Sequence, residues 1–259
     1  RFTRFIQRQL QTFLGAIAFY TCLPIPPHWK LEFHGLARWA PAIGVMLGGL
    51  LGVLDFALLA IKMPIWVRST GIVLVWLAVT GGLHFDGAMD TADGLAVLDP
   101  KRRLEVMADS HTGAFGVMAA IAILLLKVTS LSSLDSNRWL ALIAAAGWGR
   151  WGQLVAIARY PYLKAEGKGA FHKTAIRSLW DAIPSLILMI GISSLPMMSD
   201  FSNWKVAVYI GGLGGAIAIL TGAWFNRKLG GHTGDTYGAV VEWTEAIFLV
   251  GMTVFAEVQ

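Results

Sequence analysis

The sequence predicts an all-α, polytopic integral membrane helical bundle, and three observations carry that prediction. Of 259 residues, 56% are hydrophobic and 14% charged, with 11 Trp and 13 Phe, whereas a soluble domain carries about 25% charged residues. Apolar segments recur at roughly 39–61, 65–83, 113–131, 139–158, 179–198, 204–224 and 237–256, each close to the ~20 residues that cross a bilayer. Polar, motif-bearing stretches separate them. Residues 1–259 therefore read as one membrane domain of about seven transmembrane helices, preceded by an N-terminal amphipathic or membrane helix.

In that N-terminal helix, Phe2, Phe5, Ile6, Leu10, Phe13, Leu14 and Ile17 recur at helical spacing. Arg4, Gln7, Arg8 and Gln11 fill the other face, as in a helix lying in the membrane interface. If it lies there, Arg1, Arg4 and Arg8 join the cytoplasmic side; if it spans, they sit outside. The LPIPP break at Leu23 to Pro27 ends it, and the first residues lack the pattern of a cleaved signal peptide. The single Cys22 excludes an internal disulfide framework. Glycines in GVMLGGLLG (44–52) and GGLGG (211–215) read as close helix packing in lipid.

Seven spans from residue 39 put connections 84–112, 159–178 and 225–236 on one side, with 24–38. That side carries Lys30, Arg38, Lys101, Arg102, Arg103, Arg159, Lys164, Lys168, Lys173, Arg177, Arg227 and Lys228. The other carries Lys62, Arg68, Arg138, Lys205 and, at its margin, Lys127. The positive-inside rule makes the first side cytoplasmic, in a cell (inner or plasma) membrane. Topology thus explains the net charge of +5, and no basic run marks a nucleic-acid partner.

The chemistry collects in those three connections. GGLHFDGAMDTADG (81–94) places Asp86, Asp90 and Asp93 on one face of a helix, where like charges repel. A hard divalent cation would compensate them, and all-oxygen ligands suit Mg²⁺ or Mn²⁺ better than zinc. Further on, DPKRR (99–103) and MADSHTGAFG (107–116) supply Lys101, Arg102, Asp109, Ser110 and Gly113. A glycine-containing helix start holds phosphate oxygens through its N–H groups. The loop RYPYLKAEGKGAFHK (159–173) is long and polar enough for a lid or a substrate loop. GGHTGDTYGAVVEWTE (230–245) brings Thr233 and Asp235, then Glu242 and Glu245 within an apolar segment. Carboxylates at membrane depth are costly and functional by default. Arg150, in GWGRWG (147–152), reads as the one intramembrane cation, paired with a carboxylate or a substrate phosphate. Asp55 and Asp181 receive no role. Two metals about 4 Å apart in such a site would clamp an in-line displacement at phosphorus.

HFDGAMDTADGL (84–95), MADSHTGAFG (107–116) and GGHTGDTYGA (230–239) resemble three motif regions of the cobalamin synthase family, the adenosylcobinamide-GDP ribazoletransferases. FYTCLPIP (19–26) resembles that family's N-terminal FxTxxPxP segment. The likeness runs through nearly the whole chain; Phe85, Met89, Ala108 and His111 depart from the pattern locally. It implies that the ribose hydroxyl of α-ribazole, or of its 5′-phosphate, attacks the cobinamide-side phosphorus of adenosylcobinamide-GDP, releasing GMP with magnesium required. The pattern DGxxDxxDG also looks like a variant of the motif of membrane CDP-alcohol phosphotransferases. By that analogy Asp86, Asp90, Asp93 and Asp109 hold metal, and Asp93 or Asp109 acts as general base. Substrate contacts are expected from His84, Lys101, Arg102, Ser110, Gly113, Arg150, Thr233, Asp235 and Glu242. The expected partners are the corrinoid-GDP and α-ribazole substrates and the lipid bilayer, with a homo-oligomer left open. Two alternatives stand beside this reading: a phospholipid head-group phosphotransferase, and a transporter using Glu242, Glu245, Arg150 and Asp55 as a charge path.

Overall fold

A computed structural model describes residues 2–164 and 169–258; Arg1 and Lys168, both used in the charge map, lie outside the described residues. The chain is helical, in the order α1 (Phe2–Tyr20), α2 (Ala40–Ala60), α3 (Ile65–Val79), α4 (Leu83–Ala96), α5 (Arg103–Val106), α6 (Ala114–Ser132), α7 (Arg138–Arg159), α8 (Ala170–Ala175), α9 (Ile183–Ser193), α10 (Leu195–Ser199), α11 (Trp204–Leu229) and α12 (Gly234–Val258). Among the described residues no β-strand forms; one bridge joins Tyr162 and His232.

Among the described residues, five helical stretches are individually long and apolar enough to cross a membrane: Leu36–Ala60, Ala114–Ser132, Arg138–Arg159, Phe201–Leu229 and Gly234–Val254. The remaining two expected spans are modified. Segment 65–83 gives α3 alone, and α4 then leaves it at 91°. Gly81 and Gly82, at φ 60° and 66°, make that turn, since only glycine enters the left-handed region without cost. Segment 179–198 breaks into a 3₁₀ turn, α9 of 11 residues and α10 of 5, with Pro184 and Pro196 each starting a new helix. α1 is not among the candidate spans. It lays Ala16 and Tyr20 against the bundle while Phe5, Ile6 and Leu10 stay exposed, as an interfacial helix does.

α7 is the central post: it packs on α2, α11 and α12 and is buried along nearly its full length. Small residues permit this. A Cβ on Gly48 of α2 would stand 2.4 Å from Ile143 Cα, and one on Gly214 of α11 would stand 2.3 Å from Trp148. In lipid, where apolar surface gains nothing by leaving solvent, such close backbone approach is what holds helices together.

Among the described residues, two ionic groups lie inside the bundle, one with a single carboxylate between two arginines and one that is neutral. Toward the end away from the long connections, Asp55 of α2 meets Arg138 of α7 in a two-pronged pair (2.7 and 3.0 Å) and Arg68 of α3 at 3.2 Å. Arg138 also donates to the Leu131 carbonyl. The sequence map had put Arg68 and Arg138 in short connections; both are buried within the bundle. Deeper, Lys127 of α6 donates to Glu242 and Glu245 at 2.6 Å each and lies over the Trp76 ring. Arg150 of α7 reaches Glu245 at 2.8 Å. Arg150 is therefore not the one intramembrane cation: Lys127 lies inside α6, where it completes a two-cation, two-anion group. A buried charge persists only when paired and hydrogen-bonded in this way.

Candidate active site

The three long connections meet at one end of the bundle. Lys164 donates to Asp235 at 3.0 Å, Leu163 donates to the His232 carbonyl and His232 to that of Pro161, and Arg103 donates to the carbonyl of Lys228. α4 lies against the first turns of α12 with backbone touching backbone. A Cβ on Gly87 would come within 2.7 Å of the Asp235 carbonyl oxygen, and one on Gly238 within 2.7 Å of that of His84. No side chain fits between these helices, so the acidic helix and the glycine-rich turn form one surface.

α4 carries Asp86, Asp90 and Asp93 on one face, as the four- and three-residue spacings require, yet their surroundings differ. Asp86 is exposed, Asp90 half-buried and Asp93 buried. The charges of Asp86, Asp235 and Asp93 all act on Asp90, opposed by Lys164. Asp93 spends both oxygens on the start of α6, accepting from Gly113 N at 2.7 Å and from Gly116 N at 2.8 Å. A Cβ on Gly113 or Gly116 would stand 2.4 Å from that carboxylate. The glycine-containing helix start thus holds an anion, and the anion is the protein's own. The macrodipole and the free N–H groups favour that arrangement. The Gly113 N–H, expected to meet substrate, is taken by Asp93.

Asp109 lies on the exposed loop ahead of α6, 2.7 Å from His111 Nδ1. That hydrogen bond holds the Asp109 carboxyl below its usual range and raises His111 above its own. Ser110, Lys101 and Arg102 are exposed on the same connection. Thr233 caps α12, accepting from Thr236 N at 3.2 Å and donating to Asp235 at 3.3 Å. Glu242 and Arg150 belong to the buried ionic group below the site. The structure therefore gathers His84, Asp86, Asp90, Thr233 and Asp235 at one surface, with Asp93 just beneath it, and leaves Asp109, Ser110, Lys101 and Arg102 on the flanking loop.

Reading the sequence passed over Gln153, His172, Tyr20 and Tyr237. Gln153 was the visible signal, a lone amide in an apolar run. With His84 and Asp86 of α4 and Gly234 and Asp235 of α12, Gln153, His172 and Tyr237 line a cavity of about 90 Å³. Burial alone lowers His172 to about 4, so its imidazole is neutral at pH 7.

Among the described residues no three His, Cys, Asp or Glu side chains converge to hold a metal ion unaided. The donor chemistry still suits one kind of ion. Asp86, Asp90 and Asp235 offer oxygens only, with Lys164 as the opposing cation. Mg²⁺ characteristically takes one or two carboxylates and completes its shell with water and substrate phosphate.

A family model described as cobalamin-5-phosphate synthase matches residues 12–253. A protein of Trichormus variabilis named adenosylcobinamide-GDP ribazoletransferase is 58% identical over 247 residues, covering 95% of this chain and 97% of its own. Proteins of the same name from Synechococcus sp. and Synechocystis sp. are 53% and 46% identical, covering 95% and 92% of this chain and 98% and 93% of theirs. No solved structure matches the chain. The chain belongs to the cobalamin-5-phosphate synthase family.

Proposed function

We propose that this protein joins the lower nucleotide to the corrinoid. The ribose hydroxyl of α-ribazole, or of its 5′-phosphate, attacks the cobinamide-side phosphorus of adenosylcobinamide-GDP. A new P–O bond forms to the ribose, the P–O bond to GMP breaks, and GMP leaves. Family membership and relatives named adenosylcobinamide-GDP ribazoletransferase support the activity. The observation that carries its location is the backbone contact of α4 with α12 at Gly87 and Gly238, which faces Asp86 and Asp90 toward Asp235.

Within this site one or two of the carboxylates Asp86, Asp90 and Asp235, with water and substrate phosphate, would hold Mg²⁺, with Mn²⁺ as the substitute. A bound ion there supplies charge neutralisation for the diphosphate and for the leaving phosphate. Lys164, already on Asp235, lies within reach of the same phosphates. Asp93, with both oxygens engaged, positions α4 on α6 and is poorly disposed to take a proton. Of the two sequence candidates for proton acceptor, this leaves Asp109, oriented by His111. Lys101, Arg102 and Ser110 on the same connection are the groups available to the outer parts of the substrates.

We place this face in the cytoplasm. Its connections carry Lys30, Lys101, Arg102, Arg159, Lys173, Arg177, Arg227 and Lys228. On the other side the single charge of Asp55 is shared by Arg68 and Arg138 and Lys127 is neutralised by glutamates, so one arginine charge, Lys62 and Lys205 remain. The asymmetry favours the cytoplasm.

The test uses the full chain in detergent with adenosylcobinamide-GDP, α-ribazole and Mg²⁺. GMP release, abolished by chelation and restored by Mg²⁺ or Mn²⁺, is expected. Turnover of CDP-linked donors with a lipid alcohol, and none of the corrinoid, would overturn the assignment.

A further inference from the structure

The cavity behind Asp86 and Asp235 has an unusual lining. Four of its side chains, His84, Gln153, His172 and Tyr237, are each at least 95% buried. Each carries polar atoms without a hydrogen-bond partner among the described residues: both His84 ring nitrogens, Gln153 Oε1, His172 Nδ1 and the Tyr237 hydroxyl. A buried polar atom left unpaired costs about 1–3 kcal/mol, and native interiors keep few of them. Such a concentration around one cavity marks a place whose partners arrive with a ligand.

The lining also restricts what that ligand can be. None of the four side chains carries a formal charge at pH 7 to neutralise a phosphate, and the charged groups, Asp86 and Asp235, are carboxylates. The guest is neutral and polar, with both donors and acceptors. The volume, about 90 Å³, equals the liquid volume of about three waters. That admits the hydroxyl-bearing edge of a furanose, about three non-hydrogen atoms, and excludes a corrin ring or a whole nucleotide. Phe19 and Tyr237 add apolar ring faces to the wall, a surface that suits the C–H face of a sugar.

Building on the proposed reaction, we infer that this cavity is the subsite for the ribose of the acceptor nucleoside, with Gln153, His172 and Tyr237 binding its hydroxyls. The acceptor's ribose carries the attacking oxygen, so it must lie against the carboxylates at the cavity's rim. The guanosine ribose of the donor is held off from the reacting phosphorus by the phosphate that leaves with it.

The test separates this subsite from the reaction itself. Binding of α-ribazole to the full-length protein, without donor, is measured by titration calorimetry for the wild type, Gln153→Leu and Tyr237→Phe. KM for each substrate and the thermal midpoint are measured alongside. The expected result is at least a tenfold rise in Kd and KM for α-ribazole in each variant. KM for adenosylcobinamide-GDP should stay within twofold, with unchanged midpoints. The 2′-deoxy analogue should bind the wild type at least tenfold more weakly, a result that needs no variant to fold. It should lose little more in Gln153→Leu. Equal binding of the two nucleosides would overturn the inference. So would a rise in donor KM alone, which would give the cavity to the guanosine ribose, or parallel losses for both substrates with a lowered midpoint. A wild type that binds α-ribazole in this way yet releases no GMP would instead refute the reaction and leave the subsite standing.

Discussion

Replacing Gly87 with alanine puts a methyl group where α12 already lies. Its Cβ would stand 2.7 Å from the Asp235 carbonyl oxygen and 2.9 Å from Asp235 Cα. That is about 0.7 Å inside an ordinary contact of 3.4 Å. Both obstacles are backbone, so no rotamer change relieves them, and α4 must move off α12. Overpacking of this kind costs about 1–3 kcal/mol of stability. The catalytic cost is separate: the same shift carries Asp86 and Asp90 away from Asp235, and a misplacement of about 1 Å costs on the order of 10²-fold. A fall of about 30- to 100-fold in kcat/KM is therefore expected, equivalent to roughly 2–3 kcal/mol of transition-state stabilisation. Gly238→Ala, which meets the His84 carbonyl at the same 2.7 Å, should do likewise. Gly212→Ala, with nothing within 4 Å, is the control. GMP release in detergent gives the rates and thermal unfolding gives the stabilities. A folded Gly87→Ala protein with wild-type turnover would refute the reasoning.

Other perturbations probe the supporting structure. Gly116→Ala places a Cβ 2.4 Å from an Asp93 oxygen; displaced from the α6 N–H groups, the helix loses about 1–3 kcal/mol, seen as a lower midpoint, and an unchanged one contradicts the cap. Glu245→Gln leaves Arg150 and part of the Lys127 charge uncompensated at a cost of about 3–5 kcal/mol. Adding Arg150→Met should recover part of the lost midpoint, and no recovery would argue against the pairing. Burial lowers His172 to about 4, below the ordinary value of about 6.5 in the unfolded chain. Between those values the unfolded state binds more protons, so the contribution is complete above pH 6.5 and is lost as pH falls toward 4. His172→Gln should flatten that decline by on the order of 3 kcal/mol, and an unchanged slope across the window would show that His172 is not the group responsible.

The helical membrane class was legible in the sequence because a 20-residue apolar period survives any detail of packing. The face shared by Asp86, Asp90 and Asp93 was legible too, since spacing along one helix fixes it. The 91° break at Gly81–Gly82 was less so: the glycines were visible, but two consecutive left-handed residues are a backbone state that composition does not announce. Pairings between distant segments were hidden for the same reason. Lys127 looked like a residue at a helix end and Arg138 like a loop cation until Glu242, Glu245 and Asp55 were brought to them from far along the chain. GAFG at 113–116 signalled an anion correctly, but spacing could not tell a substrate phosphate from Asp93. The cavity residues Gln153, His172 and Tyr237 come from three separate helices, and only packing unites them.

The most direct measurement of whether Asp90 and Asp235 act on one diphosphate is a double-mutant cycle with Asp90→Asn and Asp235→Asn, reading kcat/KM for GMP release. Groups that hold one ion and one substrate are strongly non-additive. Each single variant should lose at least 10²-fold, with the double variant little worse than the poorer single. Losses that multiply independently, or a single variant with full turnover, would contradict a shared site on α4 and α12.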